Sequence, residues 1–202
     1  MAQNISPHIG QNISPITNAV NSSWSSAPRN VQAAFSDVMK AQDHRGLPFA
    51  VVDKKSAQLF VFDGAGQLRG GAAVLIGLTP GDVEVDQAVS TSNSGLSVAQ
   101  RTTPAGRFSS EPGRNLSGEA IVWMDYTARL AIHRLRPAAA HERRAERLAS
   151  TTPDDNRITL GCVVVDPLFF DLVVAPTLGK GYGVVYVLPE IEAPLRMHAS
   201  AQ

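Results

Sequence analysis

The chain has 202 residues, 44% of them hydrophobic and 18% charged, which is enough apolar material for one buried core and too little length for several large domains. Lys plus Arg and Asp plus Glu each number 18, so no field of one sign exists to draw in nucleic acid or an anionic membrane surface. A single cysteine excludes an intrachain disulfide, and no CxxC pair or His/Cys cluster has metal-ligand spacing, so cross-links and structural zinc drop out.

Residues 1–27 are rich in Ser, Asn, Ile and Pro, and Gln3-Asn4-Ile5-Ser6-Pro7 recurs as Gln11-Asn12-Ile13-Ser14-Pro15, which predicts a flexible polar arm. From Pro28 the residues Val31, Ala34, Phe35, Val38 and Met39 follow helical spacing, and Gly46-Leu47-Pro48 closes the segment, so 28–46 is expected to be an amphipathic helix docked on the domain C-terminal to it. At Phe49 the period changes. Phe49-Ala50-Val51-Val52 and Gln58-Leu59-Phe60-Val61-Phe62 predict a hairpin turning at Asp53-Lys54-Lys55-Ser56. A second turn at Asp63-Gly64-Ala65-Gly66 leads into the apolar stretch Ala72 to Leu78, and residues 79–118, dense in Gly, Pro, Ser and Thr, read as long loops with short strands.

Ile121 to Met124 and Leu130 to Leu135 resume strand character, and the charged run His141 to Leu148 predicts a short surface helix. Ile158 to Val165 reads as one strand containing the cysteine. Asp166 and Pro167 then predict a helix start, with Leu168, Phe169, Leu172 and Val173 as its apolar face and an end before Pro176. Gly183 to Leu188 is a last strand, and 190–202 is expected to be a loose tail. The fold class is mainly β (α+β) with a few helices.

Cys162 is the residue with nucleophilic chemistry, and a helix start at Asp166 is expected to favour its thiolate. A free cysteine beside valines is more often a small buried apolar residue, so the residues alone favour that structural reading over the nucleophilic one. On the His133 strand, alternation places Ala131, His133 and Leu135 on one face. By default such a histidine is a satisfied core or edge residue; as a base it must reach the thiol. His141, in the charged segment, is the competing base. Trp123 and Tyr126 are candidates for a peptide cleft, with core packing the simpler assignment for the tryptophan.

Taken in order, Phe49 to Lys55 with Gln58 to Phe62, then Arg101-Thr102-Thr103-Pro104-Ala105-Gly106-Arg107-Phe108, then Ile132-His133, then Arg157-Ile158-Thr159-Leu160-Gly161-Cys162 resemble the landmarks of the L,D-transpeptidase (YkuD-type) catalytic domain, and Gly183 to Pro189 resembles its closing strand. The resemblance implies a β-sandwich-type catalytic domain over 47–189. It also implies a cysteine acyltransferase of cell wall biogenesis and cell shape, in which a peptidoglycan stem peptide acylates the thiol and an amine accepts the acyl group. By position it makes Cys162 the nucleophile, His133 the base, and Gly161 the residue whose N–H, with that of Cys162, faces the oxyanion. Thr159 matches the family's Ser or Thr, and Arg157 is the candidate for a substrate carboxylate, or a surface ion pair.

Three departures stand out: Leu160 where many members carry histidine, Val164 where Asn or Arg is common, and a charged insertion, 136–156, between base and nucleophile. Leu160 and Val164 motivate one alternative, a peptidoglycan-binding module without catalysis; the other, a carboxypeptidase or amidase, keeps the acyl-enzyme with water as acceptor. The resemblance implies stem peptides as partners and no cofactor or metal; no nucleic acid and no membrane span are expected, and the oligomeric state is left open. The periplasm or cell envelope follows from the resemblance, although residues 1–30 lack the basic start and apolar centre of a signal peptide.

Overall fold

The computed structural model describes residues 24–83 and 97–191; the repeated Gln-Asn-Ile-Ser-Pro motif and residues 192–202 lie outside the described residues. Two strands, β1 (Phe49–Asp53) and β2 (Gln58–Phe62), form the expected antiparallel hairpin. Their apolar runs are almost unbroken because both faces are covered. Ala50, Val52, Leu59 and Val61 enter the main core, while Phe49, Val51, Phe60 and Phe62 face helix α1 (Arg29–Ala41), which buries Val31, Ala34 and Val38 against them. Trp24 is already part of this layer, with its ring edge-on to Phe35 at 5.1 Å and to Phe62 at 5.5 Å. Packed structure thus includes Trp24, inside the segment expected to be a flexible arm through residue 27, because an aromatic side chain close to the helix finds apolar rings to cover.

The remaining strands are β3 (Leu68–Ala73), β4 (Ile76–Gly77), β5 (Gly106–Arg114), β6 (Ala120–Asp125), β7 (Leu130–Arg134), β8 (Arg157–Thr159), β9 (Val163–Val165) and β10 (Gly183–Leu188). Eight of the ten strands make one mixed sheet in the order β3-β2-β1-β10-β5-β6-β7-β9, and β4 pairs with β8. The strand that joins the two halves is β5. Its first part pairs with β10, from Gly106 to Ser110, and its second part with β6, from Glu111 to Arg114. Long loops with short strands are the expectation there, and the correction is the length of this strand, nine residues. Its Gly, Ser and Pro content hides it, and Pro112 is tolerated because β10 no longer pairs with that part of the strand. Between the halves lies the main core, where Ala50, Val61 and Val185 meet Val122, Ile132 and Val163.

Two further expectations are corrected. The helix after Asp166 does not stop before Pro176: α3 (Pro167–Phe169) continues through a π turn, Phe170–Val174, into α4 (Ala175–Thr177). In the π turn the Ala175 N–H reaches back five residues to the Phe170 carbonyl, so the hydrogen-bond register has shifted before the proline arrives. The shift also turns the helix, so Phe170, Val173 and Val174 are buried while Leu168 and Leu172 are exposed. At the other end, Glu190 is no part of a loose tail, because it pairs with Lys54 and Arg157. No helix among the described residues is long and apolar enough to cross a membrane.

Candidate active site

The run Ile158 to Val165, expected to be one strand, breaks into β8 and β9 with Leu160-Gly161-Cys162 as the bend between them. Gly161 causes the break. Its φ of +138° is open to glycine and strained for other residues, and a Cβ there would lie 2.9 Å from the Thr102 carbonyl oxygen and 3.0 Å from Leu130. The bend is held by hydroxyls. Thr159 Oγ1 donates to the Cys162 carbonyl at 2.7 Å and accepts from the Gly161 N–H at 3.1 Å, while Thr103 Oγ1 donates to the Gly161 carbonyl at 2.7 Å and accepts from the Gly77 N–H. Thr103 is a positioning residue that sequence reasoning missed as an individual. Its signal was present in the Arg101 to Phe108 landmark. Gly161→Ala is expected to destabilise the fold by about 1–3 kcal/mol and to displace the thiol; a denaturant titration beside a cysteine-alkylation rate measures both effects.

Parallel pairing of β7 with β9 sets Ile132 against Val163, His133 against Val164 and Arg134 against Val165. One step earlier the register brings Cys162 toward Ala131. Continued by one residue into the bend, this register would put Cys162 on the same sheet face as His133, two positions along the neighbouring strand. That face is opposite the main core, to which Ile132, Val163 and Val165 belong. Trp123 pairs with Ala131 and so stands in the same row as Cys162. It is half-buried with its ring 5.1 Å from that of the exposed Tyr126, which corrects the expectation of simple core packing.

His133 Nδ1 lies 2.8 Å from the Arg134 carbonyl oxygen, so Nδ1–H donates and Nε2 keeps the lone pair. The thiol is half-buried and its Sγ–H is directed to the Arg129 carbonyl at 3.4 Å. Burial dominates both groups, lowering the imidazole pKa to about 4 and raising that of the thiol. Both directions favour the neutral thiol and the neutral imidazole near pH 7. The expected thiolate-stabilising helix start is absent here for a plain reason: Asp166 caps its own helix, accepting from the Leu168 and Phe169 N–H groups beyond the far end of β9.

Because folding holds His133 neutral while the unfolded chain protonates it near pH 6.5, stability is expected to fall as pH drops from 6.5 toward 4 and then to lose this contribution to the slope. His133→Gln removes that component, so the difference in Tm between wild type and variant across about pH 4–7 is the measurement.

The other expected site residues lie elsewhere. Arg157 is committed to Glu190 and to the Lys54 carbonyl, with its side chain 13% exposed, so its guanidinium is taken up by an internal ion pair and not presented to a substrate. His141 is exposed on a 3₁₀ turn, Ala140–Glu142, within the insertion. Val164 is buried with Leu75 and with Leu148 of helix α2 (Arg144–Ala149), so the apolar residue at that position seats the insertion on the sheet. No group of three His, Cys, Asp or Glu side chains able to hold a metal occurs among the described residues.

No protein-family profile matches the chain, and no curated protein matches it in sequence. In three dimensions it is similar to an L,D-transpeptidase solved in complex with imipenem, at 13% identity and TM-score 0.38, covering 70% of this chain and 58% of that one. It is also similar to an L,D-transpeptidase from Mycobacterium smegmatis, at 14% identity, TM-score 0.38 and the same coverage. The third is an Enterococcus faecium L,D-transpeptidase, at 14% identity and TM-score 0.36, covering 69% of this chain and 49% of that one. The chain therefore spans roughly half of these longer proteins, and all three of these similar structures are L,D-transpeptidases.

Proposed function

We propose that this chain is a cysteine-dependent L,D-transpeptidase acting on peptidoglycan stem peptides in the cell envelope, with residues 47–189 as its catalytic domain. One observation supports the reading most: Cys162 stands in the bend that leads directly into β9, the strand paired with the His133 strand, and His133 has Nδ1 tied to the Arg134 carbonyl with Nε2 left as acceptor. The ordered landmarks of the sequence agree with it.

From a neutral pair, Nε2 takes the thiol proton as Sγ attacks the donor carbonyl, so charge develops only during reaction. The Cys162 N–H is the donor assigned to the oxyanion, because the Gly161 N–H is held by Thr159 Oγ1. When the C–N bond breaks, the imidazolium returns the proton to the leaving amine. His133 then deprotonates the acceptor amine, which attacks the thioester carbonyl and frees Sγ. Gly161 and Thr159 act here by shaping the bend. Trp123 and Tyr126 form the adjoining wall.

The test is intact-mass analysis with a stem tetrapeptide, with and without a second stem peptide as amine acceptor. A thioester adduct on Cys162 that resolves into cross-linked product supports the proposal. Adduct that resolves only by hydrolysis, whatever acceptor is added, replaces it with a carboxypeptidase. No adduct from folded protein sinks it in favour of a binding module.

A further inference from the structure

On β7, alternation turns His133 to the outer face and Arg134 to the face from which Ile132 enters the main core. A cation on that side needs partners, and the π turn supplies them. The Arg134 guanidinium lies over the Phe170 ring at 4.2 Å and donates through Nε to Asp171 Oδ1 at 2.8 Å, with Nη2 on the same oxygen. Its Nη1 donates to the Ala120 carbonyl at 3.0 Å, at the start of β6. One side chain thus ties the end of β7 to the helix packed on that face and to the neighbouring strand. Asp171 is half-exposed, but the Arg134 side chain is 26% exposed, and the ring and the carbonyl hold it as well as the carboxylate.

Arg134 also carries the carbonyl that accepts from His133 Nδ1 at 2.8 Å. That peptide group is planar, so its carbonyl and the Leu135 N–H point in opposite directions. The N–H donates to the Val165 carbonyl at 2.7 Å, which fixes one side of the plane by a backbone contact open to any sequence. What this sequence adds is the clamp on the Arg134 side chain. Freed from it, the last residue of β7 gains room to rotate, the carbonyl swings off Nδ1, and the ring proton can move to Nε2. In that tautomer Nε2 carries a hydrogen and cannot take the thiol proton. The π turn contributes through its register shift, which buries Phe170 and leaves Asp171 at the rim beside the guanidinium.

We infer that Arg134 is a positioning residue: clamped by Phe170, Asp171 and the Ala120 carbonyl, its side chain holds in place the backbone carbonyl that keeps the His133 proton on Nδ1, so that the π turn and the base act as one unit. This rests on the acyl-transfer reading above. The alternative is that the clamp does no more than fasten the helix to the sheet.

The full chain is compared as wild type, Arg134→Met, Asp171→Asn and Val173→Ala, the last loosening a main-core residue of the same turn that is no part of the clamp. Two readouts are taken: the NMR shifts of the His133 ring nitrogens at neutral pH, which distinguish the tautomers, and kcat and KM with a stem tetrapeptide. Wild type is expected to be the Nδ1–H tautomer. Arg134→Met is expected to populate Nε2–H and to lower kcat by about tenfold or more with KM little changed, because a wrong tautomer removes the base and not the binding. Asp171→Asn is expected to move both readouts the same way by less, and it carries the test if Arg134→Met does not fold. Val173→Ala is expected to lower Tm and keep the wild-type tautomer. A pure Nδ1–H tautomer in every folded clamp variant, or the same tautomer shift in Val173→Ala, overturns the inference. If folded wild type turns over no peptide, the acyl-transfer reading fails while the ring shifts still decide whether the clamp sets the tautomer.

Discussion

Replacing Cys162 by alanine is expected to abolish acyl transfer, with a loss of about 10⁴-fold or more, while leaving the fold intact. The chemical loss is large because the sequence holds no second thiol to take its place, and His133 alone has only water to activate. The structural loss is small. Sγ makes one long hydrogen bond to the Arg129 carbonyl and is half-buried, so its removal is expected to cost about 1 kcal/mol and to move Tm by about 2–4 °C. Circular dichroism and intact-mass acylation on the same preparations separate the two effects. A variant that still turns peptide over at more than a few per cent of the wild-type rate would remove Cys162 from the mechanism.

Much of this site was legible in the sequence because its parts are local. Alternation placed His133 on a strand face, and a single cysteine left no choice of thiol. The β1–β2 hairpin and α1 declared themselves through uninterrupted apolar runs and helical spacing. What stayed hidden depends on partners distant along the chain. The break at Gly161 comes from the Thr102 carbonyl pressing on a position that looks like ordinary strand. β5 takes its register from β10 and β6, not from any pattern of its own. Val164 looked like the loss of a polar catalytic neighbour; in the fold it and the insertion account for each other, since Leu148 needs an apolar seat. Arg157 looked like a substrate contact because Glu190, which claims it, lies on the far side of the last strand in sequence.

The second large effect is expected at Lys54, far from the thiol. Its side chain is 1% exposed, and Nζ donates to Asp82 Oδ1 at 2.8 Å, to the Thr103 carbonyl at 2.9 Å and to the Gly81 carbonyl, with Glu190 at 3.3 Å. Arg157 pairs with the same Glu190, so two buried cations balance two carboxylates. Burial pushes the Asp82 carboxyl upward, yet the hydrogen bond from Lys54 and the Glu190 and Ile191 N–H groups bring it below the usual carboxylate range. Lys54→Met keeps most of the volume and removes the charge, leaving the Thr103 and Gly81 carbonyls and two carboxylates with one cation. Breaking such a buried network from one side costs about 3–5 kcal/mol, equivalent to about 6–20 °C in Tm for a chain of this size. The consequence reaches the active site along a traceable path. Lys54 fixes the Thr103 carbonyl, the Thr103 hydroxyl fixes the Gly161 carbonyl, and Gly161 sets the bend that presents Sγ. Hydrogen exchange is therefore expected to quicken over residues 97–105 and 159–162 together in Lys54→Met, at temperatures where β1 and β2 remain protected. Acceleration confined to the 79–83 turn would show that Lys54 anchors only its own surroundings and that the cysteine bend is held by the threonines alone.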